Sequence, residues 1–167
     1  ERERLDKLDA LRGQGIDPFP GQVKRTHTIA DAVAQFTAHE AAPGDSEPAQ
    51  PLRVAICGRL RSIRTGGKVS FADIEDGTGR VQLFLRIDRL GETSYEVFRR
   101  QLDLFDFVGA EGEMMRTRAG EISVQVDQLS VLAKALSPLP VVKAQEVDGQ
   151  SVQFGGFTDT EERFRQR

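Results

Sequence analysis

The sequence predicts a mainly β fold with flanking helices, in which five strands form a small barrel. Residues 54–86 contain three β-type runs separated by two glycine-containing turns, and residues 106–133 contain two more runs around a third turn. Residues 93–102, with apolar side chains at helical spacing, separate the third run from the fourth. The expected fold is therefore a five-stranded barrel with a helix between strands 3 and 4, preceded by N-terminal helices.

The first residues are expected to form a helix. In residues 1–14, Leu5, Leu8 and Leu11 recur on one side of a charged segment that two glycines follow. The prolines within residues 16–20 then favour an extended chain.

A second helix is expected before the barrel. Thr28 and Asp31 have the spacing of a capping box and precede apolar positions at helical spacing. Residues 37–51, rich in alanine, proline, glycine and acidic side chains, indicate a flexible loop. Residues 1–51 therefore form the predicted N-terminal extension.

The third β-type run alternates cleanly between two kinds of side chain. One face of this run is apolar and consists of Val81, Leu83 and Leu85. The other face consists of Arg80, Gln82, Phe84 and Arg86. Such a strand suits a sheet that packs a core on one side and offers the other to a flat, anionic ligand.

The order of three strands, one helix and two strands is the layout of the OB barrel, although other small barrels fit the same periodicity. We expect this barrel to occupy residues 52–136. Residues 137–167 are expected to hold a linker at 141–157 and the start of a further domain, with a helix that begins at Asp159.

Composition indicates a globular protein of the reducing cytosol. No apolar run approaches the ~20 residues of a membrane helix, and no signal-peptide pattern opens the chain, so we expect no membrane contact. The single cysteine, Cys57, rules out an internal disulfide and is expected to be a small core residue. The chain does not begin with methionine, and we expect it to be a piece of a longer cytoplasmic protein.

Positive charge is concentrated on the predicted strands. The net charge is −3, yet residues 53–86 contain seven basic and three acidic side chains. A basic sheet surface favours a nucleic-acid ligand.

Three kinds of side chain on these strands could bind single-stranded nucleic acid. Phe71 could stack on a base, although it could equally be a core residue, and Gln82 could bond a base edge. The basic and aromatic side chains that could support them are Arg59, Arg61, Arg64 and Phe84. Glu121, after the last turn, would belong near RNA only as an acceptor from a base donor.

No pattern in the sequence indicates catalysis. His27 and His39 have no partner at nucleophile or metal spacing, and two histidines with one cysteine make a zinc site improbable. Gly66 and Gly67 precede a strand, which indicates a hairpin and not a phosphate-binding loop. We expect no catalytic residue, metal or cofactor in this chain.

Several short motifs recur in a fixed order along the chain. They are RLDKL at 4–8, GIDPFP at 15–20, GKVSFADIED at 67–76, GRVQL at 79–83, RTRAGEISV at 116–124 and ERFRQR at 162–167. In this order they closely resemble the N-terminal anticodon-binding region of bacterial lysyl-tRNA synthetase, a class II synthetase. Phe105 departs from the resemblance, since the family commonly has glycine at this position.

The resemblance implies a role for four of these residues. Phe71 would stack on the central uridine of the lysine-tRNA anticodon, and Gln82 would bond its edge. Arg64 and Glu121 match two further anticodon-binding positions, and the glutamate would contact another anticodon base.

The resemblance also implies a parent enzyme that attaches lysine to tRNA as a homodimer. ATP and magnesium are expected only in a catalytic domain, whose motifs do not occur in these residues. Two alternatives remain open, namely an RNA-binding module of a synthetase paralogue and a stand-alone binder of single-stranded nucleic acid.

Overall fold

Eleven helices and strands follow one another in the part of the chain that the computed structural model describes, residues 1–41, 50–137, 143–147 and 150–154. In chain order they are α1 (Arg2–Gly13), α2 (Ile29–Ala41), β1 (Arg53–Arg64), β2 (Val69–Glu75), β3 (Arg80–Arg86), α3 (Ile87–Leu90), α4 (Glu92–Gln101), β4 (Phe107–Arg116), β5 (Ile122–Ala133), β6 (Lys143–Val147) and β7 (Gln150–Phe154). They fall into two units, Glu1–Leu136 and Ser137–Arg167.

Five strands of the first unit form a closed barrel in the order β1-β2-β3-β5-β4. Neighbouring strands are antiparallel except β3 and β5, which run parallel. The first half of β1 pairs with β4 and its second half with β2. The β1–β2 register shifts between Leu60 and Ser62, and such a bulge bends a strand. The predicted five-stranded barrel is confirmed.

Every second side chain along the strands points into the barrel, and these side chains fill its interior. Val81, Leu83 and Leu85 of β3 are buried, as the sequence predicts. The helix predicted between strands 3 and 4 is α4, which adds the completely buried Tyr95 and Phe98 to the core. Burial of each such large apolar side chain is worth about 1.5–3 kcal/mol.

Cys57 differs from the prediction of a core residue. It follows the inward-facing Ile56 along β1, so its side chain lies on the outer side and is partly exposed. Its remaining burial raises the pKa of the thiol.

Helix α1 buries only part of the apolar side that the sequence predicts. Leu8 and Leu11 are buried, whereas Leu5 is 43% exposed, so the prediction of a shared buried face is wrong for Leu5. Successive steps of three residues drift by about 60° around a helix with 3.6 residues per turn. Leu5 and Leu11 therefore point about 120° apart.

Helix α2 begins at the predicted capping box. The Thr28 hydroxyl accepts a hydrogen bond from the Asp31 amide at 3.1 Å and lies 2.6 Å from the Asp31 carboxylate. The turn between β2 and β3 supplies a second cap, because Asp76 Oδ2 accepts from the Ile29 amide at 3.0 Å.

The prediction of a loop over residues 37–51 is wrong at its start, because α2 continues to Ala41. Arg116 on β4 holds this last turn, since its Nη2 lies 2.6 Å and its Nε 3.1 Å from the Glu40 carboxylate. Residues 42–49 of the predicted loop lie outside the described residues.

A buried ion-pair network joins α1 to the barrel. The completely buried Lys134 donates to Asp106 at 2.7 Å and to Asp103 at 2.5 Å. Lys7 of α1 donates to the other oxygen of Asp103 at 2.7 Å. Buried charges are costly unless they are paired, so each member depends on the others.

Two positions place special demands on the backbone. Phe105 has φ of 77°, in the left-handed region that favours glycine, so the residue that departs from the family pattern occupies the glycine-type turn. On β4, a side chain at Gly112 would begin 2.0 Å from the Gln125 carbonyl oxygen.

The second unit contains a two-stranded antiparallel sheet. Strands β6 and β7 pair from Lys143 with Phe154 to Val147 with Gln150. The prediction of a linker over residues 141–157 is therefore wrong for these strands, and the helix expected from Asp159 lies outside the described residues. Within the described part of the chain, no helix has the length and apolar character needed to cross a membrane.

Candidate nucleic-acid interface

A cleft of about 750 Å³ opens on the outer face of the barrel, between the β2–β3 hairpin and the turn that joins β4 to β5. The residues that line it are Arg64, Phe71, Gln82, Phe84, Arg86, Met115, Thr117, Arg118, Ala119 and Glu121. The structure therefore brings the four predicted anticodon residues and Phe84 together in one cleft.

Two stacked phenylalanines form the aromatic wall of this cleft. Phe71 and Phe84 are direct cross-strand partners, with ring centroids 5.2 Å apart and planes inclined by 27°. Both rings face outward because their neighbours Ala72 and Leu83 are completely buried in the core. The structure thus decides between the two readings of Phe71, which is a partly exposed surface aromatic.

Arg64 places a positive charge next to this aromatic wall. It ends β1 as the register partner of Phe71, and its guanidinium carbon lies 5.9 Å from the centroid of that ring. Asp73 lies 3.7 Å from Arg64 and 3.1 Å from Arg80. The Ser62 hydroxyl donates to the same carboxylate. The two arginines are therefore held beside the cleft by one acidic side chain.

Gln82 lies beside the aromatic pair on the outward face of β3. The parallel pairing of β3 with β5 places it opposite Ser123, whose hydroxyl lies 2.9 Å from Gln82 Oε1. Gln82 is partly exposed, so the free side of its amide is accessible from the cleft.

Glu121 lies at the rim, at the end of the turn between β4 and β5. Two backbone hydrogen bonds fix this turn, from the Thr117 amide to the Glu121 carbonyl at 2.9 Å and from the Gly120 amide to the Thr117 carbonyl at 2.9 Å. Gly120 has φ of 89°, a conformation that glycine adopts readily. The Glu121 side chain is exposed and faces the cleft opening.

The structure does not bring Arg59 and Arg61 into the cleft. The Arg59 guanidinium carbon lies 4.7 Å from the ring centroid of Phe107, and that of Arg61 lies 5.5 Å from the centroid of Phe105. Both arginines lie nearer the middle of β1 than Arg64 does, and their contact with RNA remains a prediction.

Five cleft residues were not among the predicted site residues, namely Arg86, Met115, Thr117, Arg118 and Ala119. Of these, Arg86 belongs to the polar face that the sequence predicts for β3. Arg86 follows Gln82 and Phe84 in that alternation, so its position was predictable. It lies 2.6 Å from the Asp88 carboxylate, and this hydrogen bond holds the pKa of Asp88 below its ordinary value. The turn residues between β4 and β5 line the cleft only because β5 pairs with β3, and the sequence pattern does not predict this pairing.

The cleft combines a flat apolar wall with three arginines and one carboxylate. Such a surface can stack on a planar ring, bond its edge and attract a phosphate backbone. Among the described residues, no three side chains of histidine, cysteine, aspartate or glutamate are grouped to hold a metal ion. The geometry is that of a binding site for an anionic, aromatic ligand.

Known proteins that are similar to this chain in sequence also indicate nucleic-acid binding. Residues 54–132 match the tRNA anti-codon family model, described as an OB-fold nucleic acid binding domain. The chain is 42% identical over 99% of its length to the lysine–tRNA ligase of Cupriavidus necator and 44% identical over 99% to that of Xylella fastidiosa. It spans 29% and 30% of these two relatives. The predicted resemblance is confirmed: residues 54–132 match an OB-fold nucleic acid binding domain, and the chain is homologous to the N-terminal region of lysyl-tRNA synthetases.

Proposed function

We propose that the cleft binds the anticodon loop of lysine tRNA and reads its central uridine. The observation that carries this proposal is the stacked Phe71–Phe84 pair beside the accessible amide of Gln82. An OB barrel binds single-stranded nucleic acid by stacking bases on such aromatics, and an amide supplies the hydrogen bonds that distinguish one base from another.

Four further cleft residues have defined parts in this proposal. Phe71 stacks on the central base, and Phe84 extends the stacking surface. Arg64 attracts the phosphate backbone, and Glu121 at the rim accepts a hydrogen bond from a neighbouring anticodon base. Arg59 and Arg61 lie nearer the middle of β1, outside the cleft, and attract the RNA at longer range.

The proposal assigns RNA binding to residues 52–136, with residues 1–51 and 137–167 as flanking segments. The parent protein is a cytoplasmic, homodimeric lysine–tRNA ligase. ATP and magnesium are used there in a catalytic domain, and the residues of the present cleft bind RNA without performing chemistry. The match to the family model supports the assignment of RNA binding, and the names of the relatives support a lysine–tRNA ligase as the parent protein.

The test is a titration of the chain with a fluorescent lysine anticodon stem-loop and with the same hairpin carrying a central cytidine. Both titrations are run at one near-physiological salt concentration, because phosphate contacts alone bind any hairpin and weaken as salt rises. We expect tighter binding of the uridine hairpin. Equal binding of the two hairpins by the wild-type chain would contradict the proposal.

Two variants connect this preference to the cleft. Phe71→Ala should weaken binding about 5- to 160-fold, because stacking contributes roughly 1–3 kcal/mol per base. Phe19→Ala is the matched control, since Phe19 is 45% exposed and does not line the cleft. Arg64→Ala should weaken both hairpins similarly and make the logarithmic salt dependence shallower by about 0.7 to 1.

A further inference from the structure

Ser123 is completely buried in β5, directly across from Gln82. Its hydroxyl lies 2.9 Å from Gln82 Oε1 and 3.4 Å from the Glu121 carbonyl oxygen. A serine hydroxyl has one proton to donate, and the shorter distance assigns that proton to Gln82. Because Ser123 is buried, it cannot itself contact RNA.

This contact determines which half of the Gln82 amide remains available. The amide group is planar, with its oxygen and its NH₂ group on opposite sides of the side-chain axis. With the oxygen bound to Ser123, the NH₂ group is directed away from β5. In the described part of the chain, no hydrogen bond to Gln82 Nε2 is formed, so two N–H donors are free for a ligand.

We propose that Ser123 is a positioning residue that makes Gln82 a hydrogen-bond donor toward the cleft, so that the site selects a base with a carbonyl at that edge. This inference rests on the proposed function, since it concerns how the same cleft chooses its base. Uracil carries a carbonyl oxygen at C4, where cytosine carries an amino group. A fixed donor pairs with the carbonyl and opposes the amino group.

The aromatic wall increases the cost of a mismatch. A donor that faces another donor beside Phe71 and Phe84 loses its hydrogen bond to water without gaining one to the base. A freely rotating amide would avoid this cost, because it could turn its oxygen toward an amino group. Discrimination therefore requires that the amide be held, and Ser123 is the side chain in contact with it.

The test compares four proteins, namely the wild type, Ser123→Ala, Gln82→Glu and the double variant, each titrated with the uridine and cytidine hairpins at pH 8. Ser123→Ala removes one buried oxygen and adds no bulk, and thermal unfolding shows whether the barrel is retained. Gln82→Glu replaces the donor with a carboxylate, which accepts hydrogen bonds through either oxygen. Its orientation is then irrelevant to base choice.

We expect a uridine preference of about tenfold in the wild type, as one matched hydrogen bond provides. Ser123→Ala should reduce this ratio to about twofold or less, and Gln82→Glu should reverse it in favour of cytidine. In the Gln82→Glu background, Ser123→Ala should leave the cytidine preference unchanged. A folded Ser123→Ala protein with the full uridine preference would overturn the inference, as would an equal effect of Ser123→Ala in both backgrounds. A wild type without preference would instead overturn the proposed function.

Discussion

Replacement of Lys134 by methionine should destabilise the barrel by about 3–5 kcal/mol, the cost of breaking a buried ion pair. The side chain of Lys134 is completely buried and donates to Asp106 at 2.7 Å and to Asp103 at 2.5 Å. Methionine nearly matches the lysine side chain in volume, so little of the loss would arise from a cavity. Two bonds to charged groups, at roughly 1.5–3 kcal/mol each, give a similar total.

The only tyrosine of the chain makes this loss measurable. Tyr95 is completely buried in the barrel and the chain has no tryptophan, so tyrosine fluorescence in urea reports the unfolding of the barrel itself. Lys24→Met is the matched control, because Lys24 is an exposed lysine 2.7 Å from Glu111 and a surface pair contributes about 0–1 kcal/mol. Similar midpoints for the two variants would refute the role assigned to the buried network.

The same network should make the barrel less stable at acidic pH. Burial alone raises the pKa of Asp103, but hydrogen bonds from Lys134 and Lys7 more than offset it and hold this pKa below the ordinary value of 3.8. A carboxyl with a lowered pKa in the folded state contributes stability above the unfolded value, and this contribution is lost as pH falls through the folded value. Unfolding free energy should therefore fall below about pH 4, and less steeply in Lys134→Met, which urea titrations at several pH values would measure.

Three further predictions concern the backbone. Phe105→Gly should be more stable than Phe105→Ala by about 1 kcal/mol in urea unfolding, because only glycine adopts φ of 77° without strain; equal stability would show that the turn relaxes. Gly112→Ala should cost about 3 kcal/mol or more, since its Cβ would lie 2.0 Å from a carbonyl oxygen, whereas Gly77→Ala, with open space around it, should stay within about 0.5 kcal/mol. Thr28→Ala should lower stability by about 1 kcal/mol, and an unchanged urea midpoint would mean that the Asp76 cap alone suffices.

Periodicity predicts those parts of this fold that depend on local chemistry. The alternation of β3 identified its buried face because each strand residue reverses direction, and Thr28 marked the start of α2 because its hydroxyl caps an amide three residues away. The burial of Leu5 was mispredicted because the three-residue spacing drifts around the helix. These successes and this failure follow from geometry within one element.

Features that depend on distant residues were not predictable in this way. The end of α2 is stabilised by Arg116, which is 76 residues from Glu40 in sequence. The direction of Arg59 depends on Phe107, its partner in β4. The turn residues of the cleft likewise required the order of the strands in the barrel. Gln82 lies on a strand whose polar face is evident from the sequence, whereas the alternation around Phe71 left open whether its ring faces the core.

The parallel pairing of β3 with β5 has a consequence for folding as well as for geometry. This seam closes the barrel, and the two walls of the cleft lie on either side of it, in hairpins that are distant in sequence. A partly opened barrel therefore has no binding site, and any ligand of the cleft binds the closed state alone. A ligand at 100 times its Kd would add about 2.7 kcal/mol to the opening free energy. The backbone amide hydrogens that pair β3 with β5 should then exchange with solvent about a hundredfold more slowly. Their exchange rate would therefore report whether a ligand occupies the cleft on the outer face of the barrel.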